Sequence, residues 1–175
     1  MIANLDKIEV PKFDAIGIIH RPSSDDEVRN HSAREDEAQV EVFSKYIDAL
    51  DGLDGFSHIF VLGYFHNLRP EQIGPLKVRP KRLLKLGLKL EEVPFVGVFA
   101  LDSPTRPNPI GLCLVKLLRI EEKRKLIVSG MEFFDGTPVL DIKPYQTGYR
   151  VDEYKLPKWN TDLARKAGLS QNESI

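Results

Sequence analysis

The stretch "IGLCLVKLLRIEEKRKLIVSGMEF", Ile110 to Phe133, holds two apolar runs, 110–120 and 125–133, on either side of the charged tip "EEKRK". Two strand-length runs joined by a short polar tip read as an antiparallel hairpin. Upstream, "VPFVGVFA" adds a run at 95–100, and "SHIFVLGYFHN" is apolar, aromatic and β-branched, the composition of a buried strand. "AQVEVF" alternates through Val40 and Val42, and "FDAIGIIH", Phe13 to His20, is bounded by Pro11 and Pro22; both read as strands. Downstream, "PVLDIK" follows the turn "DGTP" as a seventh strand. Only "SKYIDALDGLDGF" reads as one or two helical turns, stopped by Asp-Gly at 51–52 and 54–55. Many short strands with little helix predict a mainly β fold, a barrel or a sandwich.

Composition narrows the function. The 175 residues suit one domain, divided here into a lead-in (1–12), a β domain (13–160) and a polar tail (161–175) expected to fray. A formal net charge of −1 gives no global attraction to nucleic acid, so such binding needs a local patch. Neither GxGxxG nor strand–helix alternation appears, which argues against a dinucleotide-binding sheet. No CxxC or HExxH spacing appears, so no metal site is expected. The single Cys113 sits in the apolar "GLCLVKLL" and is expected in the core. It forms no internal disulfide, and "MIANLDKIEV" lacks a signal-peptide pattern. No run is long enough to span a bilayer. Together these fit a cytoplasmic protein without a membrane partner.

Three segments stand out. "DSPTRPNPIG", Asp102 to Gly111, places three prolines in a connection between apolar runs. Each proline fixes its own φ and biases the residue before it toward extended backbone. The loop is thus either a structural corner or a preorganised platform for Arg106 and Asn108. Residues 67–94 carry Lys77, Arg79, Lys81, Arg82, Lys85 and Lys89 with no acidic residue between Glu71 and Glu91. That run is a solvated basic face or a contact surface for phosphates. In "FFDGTPVLDIKPY", Asp135-Gly136 is a hairpin turn signal and Pro138 places the next strand at an edge or rim. Alternation puts Leu140 and Ile142 on one face and Val139, Asp141 and Lys143 on the other.

"LDGLDGFSHIFVLGYFH", "VGVFALDSPTRPNPIGL" and "DGTPVLDIKPY", in this order, resemble the TsaA-like family, which includes TrmO-type tRNA methyltransferases and archaeal S-adenosylmethionine-binding proteins. The resemblance covers roughly Phe13 to Trp159 and is to the short form. It implies a small closed β-barrel with short helical insertions and a homodimer. It also implies S-adenosylmethionine as methyl donor and tRNA as partner, methylated on N6 of threonylcarbamoyladenosine beside the anticodon. By the same resemblance the donor is held by His66, Asn67, Asp102, Leu112, Asp135, Gly136, Thr137 and Pro138. Arg29 and Asn30 of "VRN" are the counterpart of a first-loop triplet. Position 102 is often arginine in bacterial members, so the chain departs from the pattern there.

Chemistry assigns further roles. N6 of a urea-like acceptor has a delocalised lone pair and must lose or share its proton as the methyl arrives. Asp141 and Tyr145 are the candidate bases. Lys143 would orient Asp141 or bind phosphate, and Arg106 would pair with a phosphate or with the threonyl carboxylate. Asn108 joins Arg106 on the substrate platform, with Lys77, Arg79, Lys81 and Arg82 on the RNA backbone. A barrel that binds the donor without turnover, and a methyltransferase for another acceptor, are the competing readings.

Overall fold

The computed structural model describes residues 12–30 and 35–169; the start of the lead-in and the end of the polar tail lie outside them. The elements are β1 (Gly17–His20), α1 (Asp25–Arg29), β2 (Ala38–Val42), β3 (His58–Tyr64), β4 (Lys77–Val78), α2 (Arg82–Lys85), β5 (Val96–Gly97), β6 (Ile110–Glu121), β7 (Lys125–Ser129), β8 (Pro138–Pro144) and α3 (Lys158–Lys166), with short 3₁₀ turns between them. The chain gathers into two compact units, one of residues 1–64 and 112–145, the other of 65–111 and 146–175.

The first unit is built on a closed six-stranded antiparallel barrel, in the order β1-β2-β7-β6-β3-β8. Alternation fills it: Val40 and Val42 of β2, Ile59 and Val61 of β3, and Cys113, Val115 and Leu117 of β6 are all buried. The hairpin read from Ile110–Phe133 is present, and its tip is tight. Glu122 and Lys123 both take positive φ, 47° and 59°, and the Arg124 N–H reaches the Glu121 carbonyl at 3.0 Å. Two left-handed central residues match the right-handed twist of the flanking strands.

Three expectations change. The 95–100 run is not a barrel strand: β5 pairs only with β4, and 98–100 turns into 3₁₀ helix. Asp135-Gly136 makes a turn but no hairpin, because β8 pairs with β1 and β3 while β7 pairs with β2 and β6. The alternation of β8 also breaks. Val61 faces Ile142 and Gly63 faces Val139, with a register shift between Leu62 and Gly63. The extra residue, Leu140, re-phases the strand, so Val139 is fully buried rather than sharing the outer face of Asp141 and Lys143.

The second unit explains leucines that fit neither strand nor helix spacing. Leu83 lies on α2. Gly87, at φ 90°, then reverses the chain, and the Leu88 N–H reaches the Leu83 carbonyl at 3.3 Å. Both leucines thereby enter one core with Val93 and Leu163, flanked by Leu84, Trp159 and Ala167. The polar tail was expected from 161; instead α3 runs to Lys166 and buries Leu163. Leu163→Ala is therefore expected to destabilise this unit by about 2–5 kcal/mol. Chemical denaturation followed by Trp159 fluorescence reads it, and a tail that merely frays would show no change.

Candidate functional site

The turn at 134–137 is tied to the end of β1 from both sides. The Gly136 N–H donates to the Ile19 carbonyl at 2.9 Å, and the Ile19 N–H to the Thr137 carbonyl at 3.0 Å. The Arg21 N–H donates to Asp135 Oδ1 at 2.9 Å. Gly136 takes φ 74°, a backbone that favours glycine. Pro138 is the first residue of β8, opposite Ile18, a strand position where a missing donor is tolerated.

Beneath the turn lies a residue that the sequence did not single out. Arg21 is only 7% exposed, and its Nη1 donates to the carbonyls of Met131 (2.9 Å) and Phe133 (3.1 Å). Burial pushes its pKa down, while Asp36, Asp135 and Glu27 among its neighbours push it back up. A guanidinium buried among carbonyls fixes the path of 131–135 and hence the position of the Asp135 carboxylate. In sequence it is one basic residue after a strand, with nothing to mark it as internal.

Arg29 comes to the same loop, its guanidinium 4.8 Å from the centre of the Phe134 ring. It belongs to α1, whose start is set by a capping box: the Glu27 N–H donates to Ser24 Oγ and the Ser24 N–H to Glu27 Oε2. The Ser24 hydroxyl also donates to Glu27 Oε2, at 2.7 Å, and with the Ser24 N–H it holds the Glu27 carboxyl below its ordinary range. Arg29 also pairs with Asp26 at 2.9 Å, and Asn30 caps the helix through its N–H to the Asp26 carbonyl. The first-loop residues and the Asp-Gly turn are thus parts of one local structure.

An open cleft of about 340 Å³ adjoins Asp135, lined by His20, Arg21, Pro22, Glu37, Ala38, Gln39 and Ile127. Arg119 forks onto Glu37 at 2.9 and 3.0 Å and holds its carboxyl below the usual range. Acceptors at Asp135 and Gln39 beside the apolar Pro22, Ala38 and Ile127 fit a ligand that combines hydroxyls and an ammonium with a flat heterocycle. S-adenosylmethionine has both features, and Asp135 is the one cleft residue that also belongs to the donor set implied by the resemblance.

The other candidates lie elsewhere on the first unit. Asp141 pairs with Lys143 at 2.8 Å and accepts from the Ile142 N–H at 2.9 Å. They face Leu62 and Phe60 across the β3–β8 ladder, where Tyr145 packs against Phe60 (5.8 Å) and His58 (6.4 Å). Leu112 points outward from β6 and is 64% exposed. Among the described residues no group of three or more His, Cys, Asp and Glu side chains could hold a metal.

In the second unit, the exposed His66 and Asn67 follow Phe65, whose N–H donates to the Pro109 carbonyl at 2.8 Å. That bond brings the His66-Asn67 segment alongside the proline loop holding Asp102 and Asn108, which are also exposed. Arg106 turns inward instead of projecting. It donates to the carbonyls of Ser103 (2.8 Å), Val98 (3.3 Å) and Leu101. The loop is rigid because prolines restrict its backbone and Arg106 ties it from within. Arg79 is likewise held by the carbonyls of Leu90 and Val93, whereas Lys77, Lys81 and Arg82 are exposed.

The family described as tRNA-methyltransferase O N-terminal domain matches residues 25–151. The chain belongs to this family. Within the TrmO N-terminal family it is 40% identical over 133 residues to the probable S-adenosyl-L-methionine-binding protein of Methanothermobacter thermautotrophicus, covering 74% of this chain and 86% of that protein. It is 39% identical to the mouse tRNA (adenine(37)-N6)-methyltransferase, over 77% of this chain and 28% of that one. The crystal structure of TrmO from Pseudomonas aeruginosa superposes with a TM-score of 0.63 at 28% identity, covering 84% of this chain and 61% of that chain. The chain therefore spans less than two thirds of its TrmO structural neighbour. No helix among the described residues is long and apolar enough to cross a membrane.

If Arg21 fixes the Asp135 turn, Arg21→Lys keeps a charge but loses the fork to two carbonyls. Donor affinity is expected to fall about tenfold or more while the saturated rate changes less. Calorimetry with S-adenosylhomocysteine, beside a thermal melt showing a folded variant, reads this; equal affinity would leave Arg21 a purely structural residue.

Proposed function

We propose that this TrmO-family chain is an S-adenosylmethionine-dependent methyltransferase acting on N6 of adenine 37 in tRNA, in its threonylcarbamoyl form. The observation that carries the reading is the Asp135-Gly136-Thr137-Pro138 turn, pinned to β1 and bordered by Arg29, in a chain related to a named tRNA (adenine(37)-N6)-methyltransferase. The residues that would hold the donor are Asp135 to Pro138, Arg29, Asn30 and Leu112 in the first unit. The family resemblance also points to His66, Asn67 and Asp102, which lie in the second unit.

The donor supplies an electrophilic methyl group on a sulfonium. The protein's part is to position the acceptor and relieve N6 of its proton. Positioning alone lowers such barriers by about 7–11 kcal/mol in favourable cases. Asp141 is the proposed proton acceptor, oriented by Lys143 and the Ile142 N–H, with Tyr145 as the alternative. Asp141 lies beyond the Leu140 bulge from the Asp135 turn. That separation suits distinct tasks for Asp135 and Asp141. Lys77, Lys81 and Arg82 would meet phosphates, with Asn108 at the modified base. The chain is proposed to work in the cytoplasm, where its tRNA substrate is.

Incubation with labelled donor and unfractionated tRNA, followed by nucleoside analysis, tests the reaction. Label is expected in methylated threonylcarbamoyladenosine; label in no nucleoside would leave a donor-binding barrel without turnover. Asp135→Asn is expected to raise the donor dissociation constant with a smaller effect at saturation. Asp141→Asn is expected to spare donor binding and cut the saturated rate by roughly 10²–10⁴. A wild-type rate in Asp141→Asn would remove it as the base and turn attention to Tyr145→Phe.

A homodimer is proposed through the outer face of β6, where Leu112, Leu114 and Leu118 are all exposed. Such a mostly apolar face, broken by Lys116, is a surface that association would cover. Leu114→Lys should then sediment as a monomer. An unaltered dimer would place the contact elsewhere.

A further inference from the structure

The two-stranded ladder of the second unit, which carries Lys77, presents exposed aromatic residues that the proposed chemistry does not use. Lys77 pairs with Gly97 and Val78 with Val96. The ladder continues past the assigned strands: the Val98 N–H reaches the Leu76 carbonyl at 3.1 Å, and the Arg79 guanidinium lies 4.5 Å from the centre of the Phe95 ring. Phe95 is 62% exposed and Phe99 85% exposed. Two exposed aromatic residues thus stand two positions either side of Gly97 in the chain, and the exposed Lys77 pairs with Gly97 across the ladder.

Gly97 gives the second, independent observation. Its φ of −61° and ψ of 141° are open to any residue. A Cβ built there would meet only the Leu76 carbonyl oxygen, at 4.0 Å. Neither backbone conformation nor packing within the chain therefore demands glycine. Glycine at this position leaves the ladder backbone open to close approach by another molecule, one of the uses of glycine within a strand. Between exposed rings and a lysine, that molecule is flat and bears negative charge.

We propose that Phe95, Gly97 and Phe99 form a stacking platform for unpaired nucleotides of the RNA substrate, with Lys77 on the adjoining phosphate. This rests on the tRNA reading above. Aromatic rings beside cations bind single-stranded nucleic acid by base stacking, which ignores sequence but requires unpaired bases. Arg79, anchored to the carbonyls of Leu90 and Val93, covers and steadies the Phe95 ring. Such a platform selects a loop over a helix, the distinction needed to reach a base beside an anticodon.

The test compares an unstructured RNA oligonucleotide with its duplex, by fluorescence anisotropy across a salt series. The unaltered chain is expected to prefer the single strand. Phe95→Leu and Phe99→Leu should each weaken single-strand binding about 5- to 150-fold. Gly97→Val should do the same by filling the gap. None of these should alter the slope against salt, because no phosphate contact is lost, whereas Lys77→Gln should reduce it. Phe95→Tyr and Phe99→Tyr, which keep the ring, should retain affinity. Unchanged single-strand affinity in both leucine variants overturns the proposal while methylation by the unaltered chain keeps the tRNA reading. A leucine variant that changes only the sedimenting mass overturns it in favour of a contact between two copies. Methylation of tRNA without preference for unpaired RNA also overturns the platform. Failure of the unaltered chain to bind any RNA overturns the tRNA reading and the platform together.

Discussion

The first unit depends on β8 fitting between β1 and β3. Without it the sheet would end in two open edges, each a row of unpaired backbone groups. With it the barrel has no edge in its wall. The fit is tight: a Cβ on Gly63, opposite Val139, would stand 2.7 Å from the buried Phe133 ring. The bulge at Leu140 lets both Val139 and Ile142 meet their partners on β3. Closure thus fixes the positions of Asp135, at the entry to the strand, and of Asp141, beyond its bulge.

The connection that closes the barrel also leads into Asp135 to Pro138, part of the set proposed for the methyl donor. Residues 130–137 must leave β7 and reach the gap between β1 and β3. A segment with so large a displacement has no ladder of its own to satisfy its carbonyls. Arg21 does this for Met131 and Phe133 from the inside, and Ile19 and Arg21 secure the turn from β1. Fold closure and site geometry therefore share the same hydrogen bonds. A residue buried to complete the backbone accounting also sets where a carboxylate points.

Much of this was legible in the sequence, for identifiable reasons. β2 announces itself because one side chain in two meets the core, whereas β6, apolar on both faces, does so only as an apolar run of strand length. The hairpin at 121–125 did so through its charged tip. The bulge in β8 was not legible, since "VLDIK" reads equally well in either phase and only pairing with β3 decides. Nor was α3, whose single buried leucine sits in a polar sequence and depends on distant partners at 83, 88 and 93. Among candidate residues, the Asp-Gly turn was visible from local backbone preference. The inward turn of Arg106 was not, because a guanidinium serves a phosphate or a carbonyl equally well. The stacking surface was hidden for a similar reason: an exposed phenylalanine looks like a core residue until its accessibility is known.

The order of the chain gives the barrel a history as well as a shape. β1 and β2 are made first, β3 follows, and the whole of 65–111 must then be synthesised before β6 and β7 appear. Gly17 waits for Val139 and Val61 for Ile142. Pairings so distant in sequence form slowly, because a long loop must close before any contact rewards it. On the ribosome, the nascent barrel therefore passes through a stage with five strands made and two edges open. The segment 65–111 has already emerged by then, while α3 has not, so its leucines wait too, still without Leu163. These open surfaces close in two steps, first when β8 enters the sheet and then when α3 covers the second core.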